Sequence, residues 1–137
     1  VAIIDIDFFK KYNDTFGHGE GDNLLKNLSD LFRKKVRETD IYGRIGGEEF
    51  LIIFPETSIV DASKACDRFR IDVEKNKFYG EGKLSRGKLT ISVGVSGTEE
   101  TGENISIEKL LERADNYLYN AKLAGRNLVR SFNSYKS

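Results

Sequence analysis

An α+β fold, one central, mostly antiparallel β-sheet flanked by helices, is what the 137-residue sequence predicts, on three observations. Short β-rich runs alternate with longer runs that carry apolar residues at three- and four-residue steps, in the order β-α-α-β-β-α-β-α-β. Two of the β-rich runs are joined through a Gly-Gly pair, the mark of an antiparallel hairpin. No linker, internal repeat or low-complexity tract divides the chain, and its length suits a single core, so one domain over residues 1–137 is expected.

Each element has its own signal. Residues 1–4 are an unbroken apolar run closed by Asp5, the pattern of a strand buried on both faces whose end meets solvent or a ligand. Residues 8–16 predict a short helix ended at Gly17. Over residues 20–36, Leu24, Leu25, Leu28, Leu31, Phe32 and Val36 recur at helical spacing and predict an amphipathic helix. Residues 40–45 and 49–54 are the hairpin strands. Ser58 with Asp61 resembles a capping box, with Asp for the usual Glu or Gln, and opens a helix whose stripe is Ala62, Ala65, Cys66, Phe69 and Val73. Cys66 is thereby assigned to the core. Residues 78–88, rich in Gly and charge, read as a loop or weak ribbon, and the β-branched run 89–95 as a strand. Ile107, Leu110, Leu111, Ala114, Leu118 and Ala121 mark a last helix, Gly125 its stop, and residues 128–132 a closing strand.

Composition narrows the function. Hydrophobic residues make up 39% and charged residues 32%, a globular balance. Lys and Arg number 22, as do Asp and Glu, so no global positive field exists to hold a nucleic acid or an anionic membrane, and any polyanion must find a local site. One Cys and one His rule out an internal disulfide and a His/Cys zinc site, so a bound metal needs oxygen ligands. The longest apolar run, residues 50–54, is far short of the roughly 20 residues of a membrane-spanning helix, and no signal peptide opens the chain, so a cytoplasmic location is expected. With no Met, and Val1 already inside an apolar run, the sequence reads as an excerpt of a longer protein.

The segment Arg44-Ile45-Gly46-Gly47-Glu48-Glu49-Phe50 carries the most chemistry, because two adjacent acids beside a bare Gly pair need compensation. If the hairpin lies beside the first strand, Glu48 converges with Asp5, and two carboxylates plus a backbone carbonyl suit Mg²⁺, which keeps coordination sites for substrate phosphates. The same spacing also fits a plain turn, two solvated acids and a helix-capping Asp5. Lys122 and Arg126, four apart on one helix face, suit either triphosphate oxygens or the negative end of the helix dipole. Arg37 and Asp40 fit a helix end and a strand start equally plainly.

Five blocks then resemble, in order, the GGDEF family of diguanylate cyclases: Asp5-Ile6-Asp7-Phe8-Phe9-Lys10; Asn13-Asp14; Phe16-Gly17-His18 with Gly21-Asp22; Arg44 through Phe50; and Ala121-Lys122 with Gly125-Arg126-Asn127. The resemblance implies a palm-like nucleotidyl cyclase domain. By it, Asp5, the Ile6 carbonyl and Glu48 are ligands for Mg²⁺, with Mn²⁺ the other candidate. Glu48 stands where the name-giving Asp does, an accepted variant that keeps the carboxylate; Glu49, the second acid, holds a second metal or helps to deprotonate the attacking hydroxyl, so Asp5, Glu48 and Glu49 form the catalytic set. Asn13 and Asp22 read guanine, Asp accepting from N1–H and the exocyclic amine that adenine does not offer in that pattern; without the family both read as caps or turn residues. Lys10, Lys122 and Arg126 hold phosphates, while Phe8 and Phe9 pack as the floor of the site. His18, between two Gly, reads as a turn residue. Arg37 and Asp40 match an inhibitory product site, where Arg can grip guanine O6 and N7, and Arg68 matches a secondary contact of that ligand.

The activity so implied is condensation of two GTP into cyclic di-GMP and two pyrophosphates, by a homodimer and under feedback from the product. An N-terminal sensor or receiver domain is the expected partner in the longer chain. The family's stretch upstream of the first strand, part of its guanine pocket, is missing here. A non-catalytic receptor for GTP or cyclic di-GMP is the alternative, and an interaction module that keeps only the fold is a third; the competent acids at positions 5, 48 and 49 favour the enzyme.

Overall fold

A computed structural model of the chain describes residues 1–84, 86–100 and 104–132. The β-rich runs form one sheet of β1 (Ala2–Ile6), β2 (Ile41–Arg44), β3 (Glu49–Ile53), β4 (Ile91–Val95) and β5 (Val129–Ser131), in the order β2-β3-β1-β4-β5. The helices are α1 (Phe9–Phe16), α2 (His18–Lys35), α3 (Ile59–Lys75) and α4 (Ile107–Leu123). Every neighbouring strand pair is antiparallel except β4 with β5, where α4 is the crossover that a parallel connection requires. The expected α+β architecture is therefore present.

The central strand β1 is buried at all five positions because helices cover both faces of the sheet. Ala2, Ile4 and Ile6 pack with α2 and α3 side chains, among them Leu28, Phe32, Phe69 and Val73, whereas Ile3 meets Ala114 and Leu118 of α4. Cys66 lies in the larger cluster, as its stripe predicted, and burial pushes its thiol up to about 12. Gly94 of β4 lies directly beneath α4, leaving no room for a Cβ against the backbone of Ala114 and Leu118.

The differences from expectation lie at element ends. The first strand runs on through Asp5 to Ile6, because Asp5 finds a cationic partner in α4 rather than ending the strand at water. Gly17 turns the chain at φ 88°, and α2 starts at once with His18, which is thus the first residue of a helix and not part of a turn. Among the described residues of 78–88, one 3₁₀ turn, Glu81–Lys83, stands between irregular segments. Ser58 caps α3 as expected, its hydroxyl accepting from the Asp61 N–H at 3.0 Å. Among the described residues, no helix is long and apolar enough to cross a membrane.

Candidate active site

The antiparallel register of β1 and β3 sets Asp5 opposite Glu49. The Ile6 N–H donates to the Glu48 carbonyl at 3.3 Å, which makes Asp5 and Glu49 the adjacent non-hydrogen-bonded pair. In such pairs the Cα atoms come within roughly 4.5 Å and the side chains share one face of the sheet. That face is covered by α4, whose last turn carries Lys122, and the Lys122 ammonium donates to Asp5 Oδ2.

The electrostatics follow from this crowding. Burial pushes the Asp5 carboxyl above its ordinary value; the Lys122 contact opposes that shift, and Asp7 adds to it. Glu48 and Glu49 are also raised, first by burial and then by the charge of Asp5. Three carboxylates thus act on one another with the Lys122 and Arg126 cations beside them. Hard, partly desolvated oxygens fit a small divalent ion, and Lys122 is the cation that stands on Asp5 in this structure. Among the described residues no group of three or more His, Cys, Asp or Glu side chains is arranged to hold a metal ion by itself. What Asp5, Glu48 and the Ile6 carbonyl offer is an open set of few protein ligands, the kind Mg²⁺ takes when substrate phosphates complete its shell.

A cleft of about 180 Å³ gathers Asp5, Ile6, Phe8, Phe9, Lys10, Glu48, Lys122 and Arg126, eight of the residues singled out in the sequence. Glu49 stands beside it, opposite Asp5. The two phenylalanines differ in role. Phe9 is buried and packs under the site, whereas Phe8 is exposed, has left-handed backbone at φ 59°, and carries the Arg126 guanidinium over its ring at 4.5 Å. It is a rim with a cation on its face and not part of a packed floor. Arg86, which the sequence did not single out, lies 5.5 Å over the same ring and donates to the Gly125 carbonyl at 2.7 Å. Asp7 and Asn127, present in the quoted motifs but given no role there, are joined across the site.

Asn13 and Asp22 lie outside that cleft, Asn13 on α1 and exposed Asp22 on α2, the helices that Gly17 joins. The Asn13 amide oxygen is buried without a partner among the described residues and abuts Gly21, where any Cβ would collide with it. Asn13 is thus placed next to the residue that precedes Asp22.

Arg37 and Asp40 are bonded to each other: the guanidinium donates to the carboxylate at 3.0 and 3.3 Å, and to the Thr57 hydroxyl at 2.6 Å. Arg68 of α3 lines the same cleft of about 410 Å³, so these three predicted residues are brought together, on a site separate from Asp5.

Comparison with known proteins shows the family. The family described as diguanylate cyclase, GGDEF domain, matches residues 1–128. The chain is 45% identical over 127 residues to the response regulator PleD of Caulobacter vibrioides, covering 93% of this chain and 28% of that protein. It is 40% identical over 129 residues to diguanylate cyclase A of Treponema denticola, covering 94% and 34%. The chain therefore spans about a third of the length of these curated relatives. Among solved structures it is similar to the active GGEEF domain of a diguanylate cyclase from Vibrio cholerae, with a TM-score of 0.83, 32% identity, and 96% of this chain and 80% of that one covered. It is equally similar to the GGDEF domain of DgcB from Caulobacter crescentus in complex with c-di-GMP, with a TM-score of 0.83, 32% identity, and 95% and 75% covered.

Proposed function

The chain belongs to the GGDEF family of diguanylate cyclases, and on that premise we propose that it condenses two GTP into cyclic di-GMP with release of two pyrophosphates. The observation that carries the reading is the strand register that faces Asp5 with Glu49 beside a cleft lined by Lys10, Lys122 and Arg126. Acids for a metal and cations for a triphosphate meet there, in a chain whose net charge is zero.

Asp5, Glu48 and the Ile6 carbonyl would hold Mg²⁺, which supplies Lewis-acid activation of the nucleophile and neutralises phosphate charge. Lys10, Lys122 and Arg126 bind the triphosphate as charge-assisted donors and stabilise the leaving pyrophosphate. Asn13 and Asp22 select guanine, Asp22 accepting from N1–H and the exocyclic amine. In each half reaction the 3′-hydroxyl oxygen of one GTP bonds the α-phosphorus of the other, the bond from that phosphorus to the α,β-bridging oxygen breaks, and Glu49 takes the hydroxyl proton. The product has two-fold symmetry and each chain offers one cleft, so two domains must face each other.

The Arg37, Asp40 and Arg68 cleft is proposed to bind the product as an inhibitor, Arg37 turning its fork from Asp40 to the guanine edge. The c-di-GMP complex of the similar DgcB domain supports product binding, and the similarity to a response regulator supports a sensor or receiver domain in the longer protein. One domain over residues 1–137, working in the cytoplasm, completes the proposal.

The test is direct. Full-length protein is incubated with GTP and Mg²⁺ and the products are separated by chromatography; cyclic di-GMP is expected. No turnover at a protein concentration high enough to force association would overturn the cyclase reading.

A further inference from the structure

We propose that Asp7 and Asn127 are a positioning pair that holds Arg126 against the phosphate cleft; the inference rests on the reading of that cleft as a GTP site. The chain leaves α4 through three consecutive residues with left-handed backbone, Gly125 at φ 117°, Arg126 at 65° and Asn127 at 50°. Two of these carry side chains, and such backbone persists only where the surroundings over-determine it.

Asn127 is where they do so. Its N–H donates to Asp7 Oδ2 at 3.0 Å, its amide oxygen accepts from Arg70 at 3.0 Å, and its amide nitrogen donates to Glu74 at 2.5 Å. The residue is thereby tied at once to the end of β1 and to α3. Asp7 is buried, and among the described residues the donors it meets are neutral: the Thr90 hydroxyl at 2.7 Å, the Ser92 hydroxyl at 2.6 Å and the Asn127 N–H. A buried carboxylate held only by neutral donors is an expensive way to make three hydrogen bonds, and what it gains is a stronger hold on each donor.

Asp7 is also the residue before Phe8, and Asn127 the residue after Arg126. The Asn127 N–H bond to Asp7 and the Asn127 amide ties to Arg70 and Glu74 act together, so that the Phe8 ring and the guanidinium above it are held as one unit. Asp7 also lines the cleft, but both its carboxylate oxygens are occupied by Thr90, Ser92 and Asn127, and Asn127 is not among the lining residues. Their effect on the nucleotide runs through Arg126, which lines the cleft with Lys122.

The experiment uses Asn127→Gly, because Gly accepts left-handed backbone without strain and keeps the N–H while deleting the amide ties. Binding of 3′-deoxy-GTP with Mg²⁺, which lacks the attacking hydroxyl, is measured by calorimetry on the full-length protein, and Tm in parallel. The expected result is Kd weakened on the order of tenfold with Tm within a few degrees of wild type. In an Arg126→Ala background the same substitution should weaken binding no further, since both act through one guanidinium. Asp7→Asn, equal in size, should reproduce the loss. Wild-type affinity in Asn127→Gly, or a loss that persists undiminished in the Arg126→Ala background, overturns the inference and leaves the cyclase reading intact. Wild-type protein that binds 3′-deoxy-GTP but forms no cyclic di-GMP from GTP overturns the cyclase alone, and wild-type protein that does not bind it overturns both.

Discussion

Asp5 and Glu48 meet in the site from different constraints, and their substitutions should separate chemistry from folding. Asp5 is buried and bonded to the half-buried Lys122, so removing it leaves that cation unpaired beside the core and disturbs the fold as well as the site. Glu48 is only partly buried and lies at the hairpin tip. Glu48→Gln keeps volume and removes the ligand charge, so turnover of GTP should fall by on the order of a hundredfold or more while Tm stays close to wild type. A variant that still makes cyclic di-GMP at the wild-type rate would remove Glu48 from the metal set. At the second cleft, Arg37 is exposed and already oriented by Asp40 and Thr57. Arg37→Ala deletes the fork that would grip a guanine edge, worth roughly 1–3 kcal/mol for a bidentate contact, so the cyclic di-GMP concentration for half-inhibition should rise about tenfold or more. Inhibition curves that superimpose on wild type would mean that the product binds elsewhere.

At the scale of elements, the helices were legible because their apolar periodicity extends over many residues. Leu24 to Phe32 and Ala62 to Val73 are the stripes that pack on β1. The end of the first strand was not legible. A charge inside a buried strand reads as its terminus, and the partner that reverses that reading, Lys122, is 117 residues away in sequence. Phe8 was misplaced for a similar reason: aromatic character says packing, and only its left-handed backbone puts the ring at the rim. The residues of the site were legible as motifs, but the link between Asp7 and Asn127 joins two of those motifs and belongs to neither. Gly94 carried a readable hint, since Gly within a strand marks a close approach, although not of which helix. Gly94→Ala tests that contact. Its Cβ would lie 3.0 Å from the Leu118 Cα and nearer still to backbone atoms of Ala114 and Leu118, so α4 must move away from β4. Stability should drop by about 1–3 kcal/mol, seen as a lower urea midpoint, and GTP turnover should fall with it because α4 carries Lys122. An unchanged midpoint would show that α4 yields without cost.

At the scale of the molecule, the sheet is a frame that places one half of a symmetric reaction. Asp5, Glu49, Lys122 and Arg126 come from β1, β3, the last turn of α4 and the turn after it, and they converge because β1 is central, paired with β3 on one side and β4 on the other. In the proposed reading that convergence serves one nucleotide per chain, yet the proposed product joins two guanosines through two equivalent phosphodiester bonds. A lone domain would have to bind its second GTP with a surface unlike the first, whereas two copies about a two-fold axis use the same cleft twice and bring each 3′-hydroxyl to the other's α-phosphate. The consequence is kinetic. Where most chains are dissociated, dimer concentration follows the square of chain concentration, so twofold dilution at saturating GTP should lower the total rate about fourfold and the rate per chain about twofold. Covalent tethering of two copies should abolish that dependence and hold the rate per chain at its concentrated value. Rates per chain that stay constant on dilution, in untethered protein whose dissociation is verified by sedimentation or light scattering, would mean that one domain completes both bonds and that the two-fold mechanism is wrong.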